Sequence, residues 1–224
     1  MKKLLFLVSI FAIFASVNSF CSHIETVQGN GKIIKKELTG LTDFDGIANG
    51  VAADVIVTKG DNFKVEYEGD EKLFENLIVE VENHSLNFRN KKDFSWNSSR
   101  NSSKTVFYIT MPSLKKIALG GSGDFSSKGD FNEDKISIAI GGSGDVKLNG
   151  IARKQDIAIG GSGNVDLSDM KGESADVAIG GSGDVRVNVS EKLNVSIAGS
   201  GDVKYKGSPN VKQTVVGSGS VTQE

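Results

Sequence analysis

The chain has 224 residues, 38% hydrophobic, 24% charged and 7% aromatic, with 26 basic against 28 acidic side chains, 27 Gly, 2 His and 1 Cys. This is the composition of a globular protein of one domain or two small ones, and with no basic surplus it argues against a nucleic-acid partner. A lone Cys cannot form an internal disulfide or a four-ligand zinc site, and two scattered His leave little material for imidazole chemistry, so no cofactor, metal or catalytic residue is assigned.

Residues 1–19 run Lys2-Lys3, an apolar stretch from Leu4 to Val17, then Asn18-Ser19, the order of a secretory signal peptide. The apolar run is too short to span a bilayer comfortably. Export follows, to the periplasm, the outer membrane surface or the medium, and loss of Lys2 and Lys3 takes the formal charge from -2 to -4. Two cleavage readings compete. Val17 and Ser19 suit an ordinary signal peptidase, the preferred reading. Cys21 stands where a bacterial lipoprotein carries its diacylglyceryl cysteine, with the signal then ending at residue 20, although Phe20 is large where a lipobox takes a small residue. A lipid on Cys21 would be the chain's one tie to a membrane.

Residues 20–40 read as a leader and a first strand, and 41–116 as a less regular β half. Its strands are predicted at Ala53–Thr58, Phe63–Gly69, Leu77–Glu82, Leu86–Arg89 and Lys104–Met111, each alternating as in Phe63, Val65, Tyr67. Asn83-His84-Ser85 reads as a hairpin turn. Most aromatics of the mature chain fall here, which predicts a broader core capping whatever follows. Trp96, the single tryptophan, lies in the polar stretch Asp93 to Lys104. It reads either as a ring folded over a strand edge, the preferred reading, or as an anchor for a carbohydrate or protein partner.

From Ile117 to Glu224 one unit recurs six times, with the Gly that opens each Gly-Ser-Gly at 121, 142, 161, 181, 199 and 217. The first four copies read Ala-Leu/Ile-Gly-Gly-Ser-Gly-Asp/Asn, the fifth opens Ser196-Ile-Ala198, and the last degenerates to Val215-Val-Gly-Ser-Gly-Ser-Val221. Period-2 alternation flanks each, as in Ile136, Ile138, Ile140 before and Val146, Leu148 after. The reading is an all-β parallel β-helix or β-roll solenoid with rungs of about 20 residues, every corner stacked on the last at about 4.8 Å. Two reasons are given for the glycines: positive φ in a sharp turn, and no space for side chains between stacked turns.

The candidate site residues are the column Asp124, Asp145, Asn164, Asp184 and Asp202, with Trp96. Asp and Asn beside a turn bond neighbouring backbone N–H groups, and Lys147, Arg186 and Lys204 are placed to offset the charge. A calcium roll is the rival reading of that column, though its Asp comes one residue too early for the calcium nonapeptide and the period is near 20. Paired surface carboxylates acting on a polysaccharide, on a β-helix, are the second rival. No Gly-x-Ser-x-Gly elbow occurs.

Gly29-Asn-Gly31, Asp43-Phe-Asp45-Gly-Ile47, Ala53-Asp-Val-Ile-Val-Thr-Lys-Gly60, Met111-Pro-Ser-Leu114 and then the Gly-Ser-Gly-Asp series together resemble the auto-transporter adhesin head domain called the GIN domain, over about residues 28–224. The resemblance implies a secreted or surface β-helical protein and transfers no catalytic residues. The function expected is a non-enzymatic adhesin or surface assembly module, with a glycan or protein ligand and a homo-oligomer through the C-terminal rung, whose edge from Val215 to Val221 is free to pair.

Overall fold

The structure is a computed structural model that describes residues 25–27, 29–91, 94–96 and 104–224, the segments 25–27 and 94–96 by backbone only. The signal segment, Cys21 and His23 lie outside the described residues. In chain order the elements are β1 (Glu25–Val27), β2 (Ile33–Leu38), β3 (Gly46–Asn49), β4 (Asp54–Lys59), β5 (Lys64–Asp70), the single-turn helix α1 (Glu71–Glu75), β6 (Leu77–Glu82), β7 (Ser85–Asn90) and β8 (Phe94–Trp96). There follow β9 (Val106–Met111), β10 (Lys116–Leu119), β11 (Phe125–Lys128), β12 (Phe131–Ile140), β13 (Val146–Ile159), β14 (Val165–Ile179), β15 (Val185–Gly199), β16 (Val203–Lys206), β17 (Asn210–Gly217) and β18 (Val221–Gln223). The predicted strands of residues 53–111 all appear, shifted by a residue or two at their ends.

Strands that lead into the glycine corner stack in parallel as β3, β10, β12, β13, β14, β15 and β17; strands that leave it stack as β4, β11, β13, β14, β15, β16 and β18. The chain therefore coils, and like residues sit on like. Inside, Leu119, Ile140, Ile159, Ile179 and Ile197 form one column ahead of the corner, and Phe125, Val146, Val165, Val185 and Val203 form one after it. All ten are buried. Burying one such side chain contributes roughly 1.5–3 kcal/mol, and every rung obtains that burial only from its neighbours, so the array is stable as a stack.

The corner never slips. Leu119 faces Ile140 and Phe125 faces Val146 at the same offset, as do Ile140 with Ile159 and Val146 with Val165. Differences in rung length are absorbed on the wall opposite, where register shifts occur between Lys147 and Asn149, Leu167 and Lys171, and Gly172 and Ser174. Those bulges explain spacings that wander between 18 and 21 residues in the sequence.

One of the two reasons given for the glycines is overturned. Positive φ occurs at Gly31, Gly40, Gly129, Gly150, Gly207 and Gly217, so among the Gly-Ser-Gly glycines only Gly217 has it. Close stacking is the cause. A Cβ on Gly142 would lie 2.0 Å from the carbonyl oxygen of Gly121, and one on Gly144 2.1 Å from that of Gly123. The Gly before each such pair has space: a Cβ on Gly160 would meet nothing nearer than 3.9 Å. The sequence already puts Ala198 and Val216 at that position.

The N-terminal end is closed differently. After β4 the chain leaves the coil; β9 joins β4 in parallel, β5 and β2 follow antiparallel, and on the other face β6 and β7 form a hairpin whose β7 lies parallel to β3. Asn83 and His84, both at positive φ, make the predicted turn. Phe88 stacks on Phe107 at 4.0 Å between ring centroids, and Tyr67 meets Phe107 at 5.3 Å and Phe74 at 4.7 Å. Each such pair adds about 0.5–1.5 kcal/mol to its area term. Asp70 ties this plug together: its carboxylate accepts from Lys72 N (2.9 Å), Leu73 N (3.3 Å) and Gly31 N (2.6 Å).

Candidate functional site

The Asp/Asn column is a backbone ladder. The N–H of Asp145 donates to Asp124 Oδ1 (3.1 Å), that of Asn164 to Asp145 Oδ1 (2.8 Å), that of Asp184 to Asn164 Oδ1 (2.8 Å) and that of Asp202 to Asp184 Oδ1 (2.8 Å). The same bond runs from Ser220 N to Asp202 Oδ1 at 2.8 Å, with the Ser220 hydroxyl donating to the same oxygen. The next residue's N–H donates to the Asx carbonyl one rung on, as Phe125 N does to Asp145 O at 2.7 Å. One side-chain oxygen per rung therefore satisfies a main-chain donor that the corner would leave orphaned.

The ladder begins one rung earlier than the sequence reading placed it. Asp124 N donates to Asp54 Oδ1 at 3.0 Å, and Asn49–Asp54 forms the first corner. It carries Val51 and Ala53 where later corners have Gly, because a corner Cβ points at the preceding rung and here, among the described residues, no earlier corner lies beneath; both are buried. Losing the glycines hides the repeat in the sequence. The remaining signal is Asp54-Val55 followed by alternation.

Electrostatics along the column are local. The Ser220 hydroxyl and amide hold the Asp202 carboxyl below the usual carboxylate range. Asn164 sits mid-ladder as both acceptor and donor, its Nδ2 reaching Asp145 Oδ1 at 2.9 Å. Of the basic residues expected to balance these acids, Lys204 adds to the lowering of Asp202, whereas Lys147 contacts Asp166 at 4.0 Å and Arg186 contacts Glu224 at 3.4 Å. Asp166 is raised by burial but lowered further by the Ser168 hydroxyl and amide and by Lys147 and Arg186, ending below its ordinary value.

A second polar array, not read from the sequence, lies on the face that leads into the corner. Lys135 Nζ meets Asp156 at 2.7 Å, Lys154 Nζ meets Asp156 and Asp176 at 3.3 Å each, and Asn194 Nδ2 donates to Asp176 Oδ1 at 2.6 Å. Burial would lower the Lys154 ammonium, yet Asp156 and Asp176 raise it above its ordinary value. Beside this array runs a half-buried outward row of Ala118, Ala139, Ala158, Ala178 and Ser196, and beyond it the exposed corner serines.

These groups stand in rows, one per rung. Among the described residues, no group of three or more His, Cys, Asp or Glu side chains is placed to hold a metal ion. His84, in the β6–β7 turn, has Nδ1 at 3.1 Å from the Asp43 carbonyl, far in sequence from the ladder. Trp96 closes β8, whose backbone pairs in parallel with β1; its side chain and residues 92–93 and 97–103 lie outside the described residues.

Stacked corners, a continuous Asx ladder and a plugged N-terminal end define a short parallel β-solenoid. The chain belongs to the family described as "Putative auto-transporter adhesin, head GIN domain", whose profile matches residues 43–209. Among solved structures it is similar to a protein from Bacteroides fragilis described as a putative adhesin, with TM-score 0.71 and 23% identity over 88% of this chain and 100% of that one. It is also similar to one from Parabacteroides merdae described in the same words, with TM-score 0.59 and 22% identity over 89% and 99%. A third, from Parabacteroides distasonis, is described as a putative lipid binding protein, with TM-score 0.53 and 21% identity over 89% and 100%. None of the curated proteins matches the chain. At these identities the likeness is one of fold.

Proposed function

We propose that this chain is a non-enzymatic, adhesin-like module, exported to the cell envelope or beyond, that holds an extended glycan or protein ligand on the flat side of its solenoid. One observation carries the reading. The repeat sets like on like, so the Ala118–Ser196 row, the corner serines and the Asp156–Asp176–Asn194 row repeat at the rung spacing across β10 and β12–β15. A surface of that kind presents the same short chemistry again and again, which suits a polymer better than a small substrate gathered at a point. Its family membership agrees with this reading.

The test is an array of glycans and surface proteins probed with the mature chain. Retention on one ligand class is expected, weakened at least tenfold by Ala139→Lys with Ala178→Lys, and unchanged by Lys147→Ala on the other face. Reducing ends released from a glycan, and lost in Asp145→Asn or Asp184→Asn, would replace this reading with catalysis.

A further inference from the structure

The two ends of the solenoid share a register. The cross-strand column that opens at Glu82 on β6 passes through Ser85, Gly46 and Lys116, then through one residue per rung, and closes at Lys212 on β17. A parallel inward column opens at Val79 on β6 and closes at Val215 on β17. Among the described residues β6 pairs only with β7, and β17 only with β15, so each has a free edge. Both lie in the same face. Strand β6 carries Glu80 and Glu82 and no base, whereas β17 carries Lys212 and no acid. Glu82 and Lys212 are exposed and form no ion pair with the described residues. Val215 is 37% and Val216 69% exposed on the β17 side.

We propose that copies of this chain stack head to tail, β17 of one copy pairing antiparallel with β6 of the next. Translation along the solenoid brings Lys212 onto Glu82 and Val215 onto Val79, because those pairs already stand in single columns. The direction is fixed too: β6 runs antiparallel to β7, and β7 is parallel to the stack that ends in β17. On the other face the column that closes with Lys204 and then Thr222 on β18 opens at Glu37 on β2, so the same translation keeps that face in register as well, with neutral Thr222 meeting Glu37. Two copies meeting through their β17 edges would instead pair two strands that each carry a base and no acid. A contact between unlike ends does not close on itself and propagates as a filament.

Sedimentation velocity and light scattering on the mature chain, from micromolar to millimolar, test this. The expected result is a mean mass that climbs with concentration and falls in high salt. Lys212→Glu and Glu82→Lys should each abolish the climb while leaving the circular dichroism spectrum and melting unchanged. An equimolar mixture of the two variants should restore it, since every junction then pairs unlike charges, and so should both changes in one chain. A monomer at every concentration overturns the proposal. So does an assembly that ignores Glu82→Lys, which would place the contact elsewhere.

Discussion

Asp145 Oδ1 accepts two hydrogen bonds from Asn164 on the next rung, one from its main-chain N–H at 2.8 Å and one from its side-chain Nδ2 at 2.9 Å. The carboxylate works as part of the backbone, filling a donor's vacancy that the sharp corner creates. Asp145→Ala should therefore lower stability in urea by about 1–2 kcal/mol, the usual net value of two such bonds at an exposed position. Asp145→Asn keeps an acceptor at the same place and should cost less than half as much. Equal losses in the two variants would mean that the charge matters and not the acceptor.

Neighbouring glycines of one corner should respond differently to the same change. A Cβ at Gly161 would fall 2.0 Å from the Gly142 carbonyl oxygen, whereas one at Gly160 would have 3.9 Å to its nearest neighbour. Gly161→Ala must push two rungs apart and should cost about 3 kcal/mol, the upper range for an overpacked core position. Gly160→Ala should be neutral or slightly stabilising, because it also narrows the unfolded ensemble. Paired chemical melts of the two variants decide this, and similar losses would sink the stacking account.

How much of this could be read beforehand follows from the same stacking. The repeat is legible from residue 117 because both glycines of a Gly-Ser-Gly have to be Gly wherever another corner lies under them, and the alternating Ile and Val need no further decoding. The first corner is illegible for the converse reason: among the described residues, no corner lies beneath Val51 and Ala53. The cross-rung pairing of Lys135, Lys154, Asp156 and Asp176 escaped as well, since residues about 20 apart in sequence become neighbours only once the register is known. Lys147 and Arg186 each follow a ladder acid by two residues in sequence, yet their partners, Asp166 and Glu224, lie on other rungs or beyond the last corner.

Asp202 gives the ladder a pH dependence with a definite sign. Its folded-state pKa is depressed by the Ser220 hydroxyl and amide, so its contribution is complete above the unfolded carboxylate value of about 3.9 and is lost as pH falls through the lower folded value. Asp202→Asn preserves the acceptor for Ser220 N–H and has no proton to gain. Stability measured from neutral pH down to about pH 2 should fall less steeply in that variant, and identical acid limbs would remove Asp202 from the account.

Gln155 occupies an inward column between Ile136 and Ala175, fully buried, with Nε2 donating to Met170 O at 3.1 Å and Oε1 without a hydrogen-bond partner. A buried acceptor left unpaired costs about 1–3 kcal/mol, more than the single bond returns. Gln155→Leu removes that cost and adds apolar contact with the Ile136 side of the column. The expected outcome is a melting temperature several degrees higher. A lower one would show that the Met170 bond holds the register shift beside it and outweighs the unpaired oxygen.

At the plugged end, Tyr67 is buried among Phe74 and Phe107 and its hydroxyl donates to Asp70 O at 2.8 Å. Burial raises its pKa to about 12, against an unfolded value near 10, with Asp70 adding to the shift and Thr105 opposing it. The folded state thus holds the phenolic proton more tightly. The associated stability is fully present below about pH 10 and is lost as pH rises from there through the folded value. Tyr67→Phe abolishes that alkaline loss, and below pH 10 it costs about 1 kcal/mol for the hydrogen bond to Asp70. The curves of stability against pH for the two proteins should therefore converge above pH 10. Parallel curves up to pH 12 would mean that the hydroxyl titrates freely, in water, and that the plug is looser than its ring contacts imply.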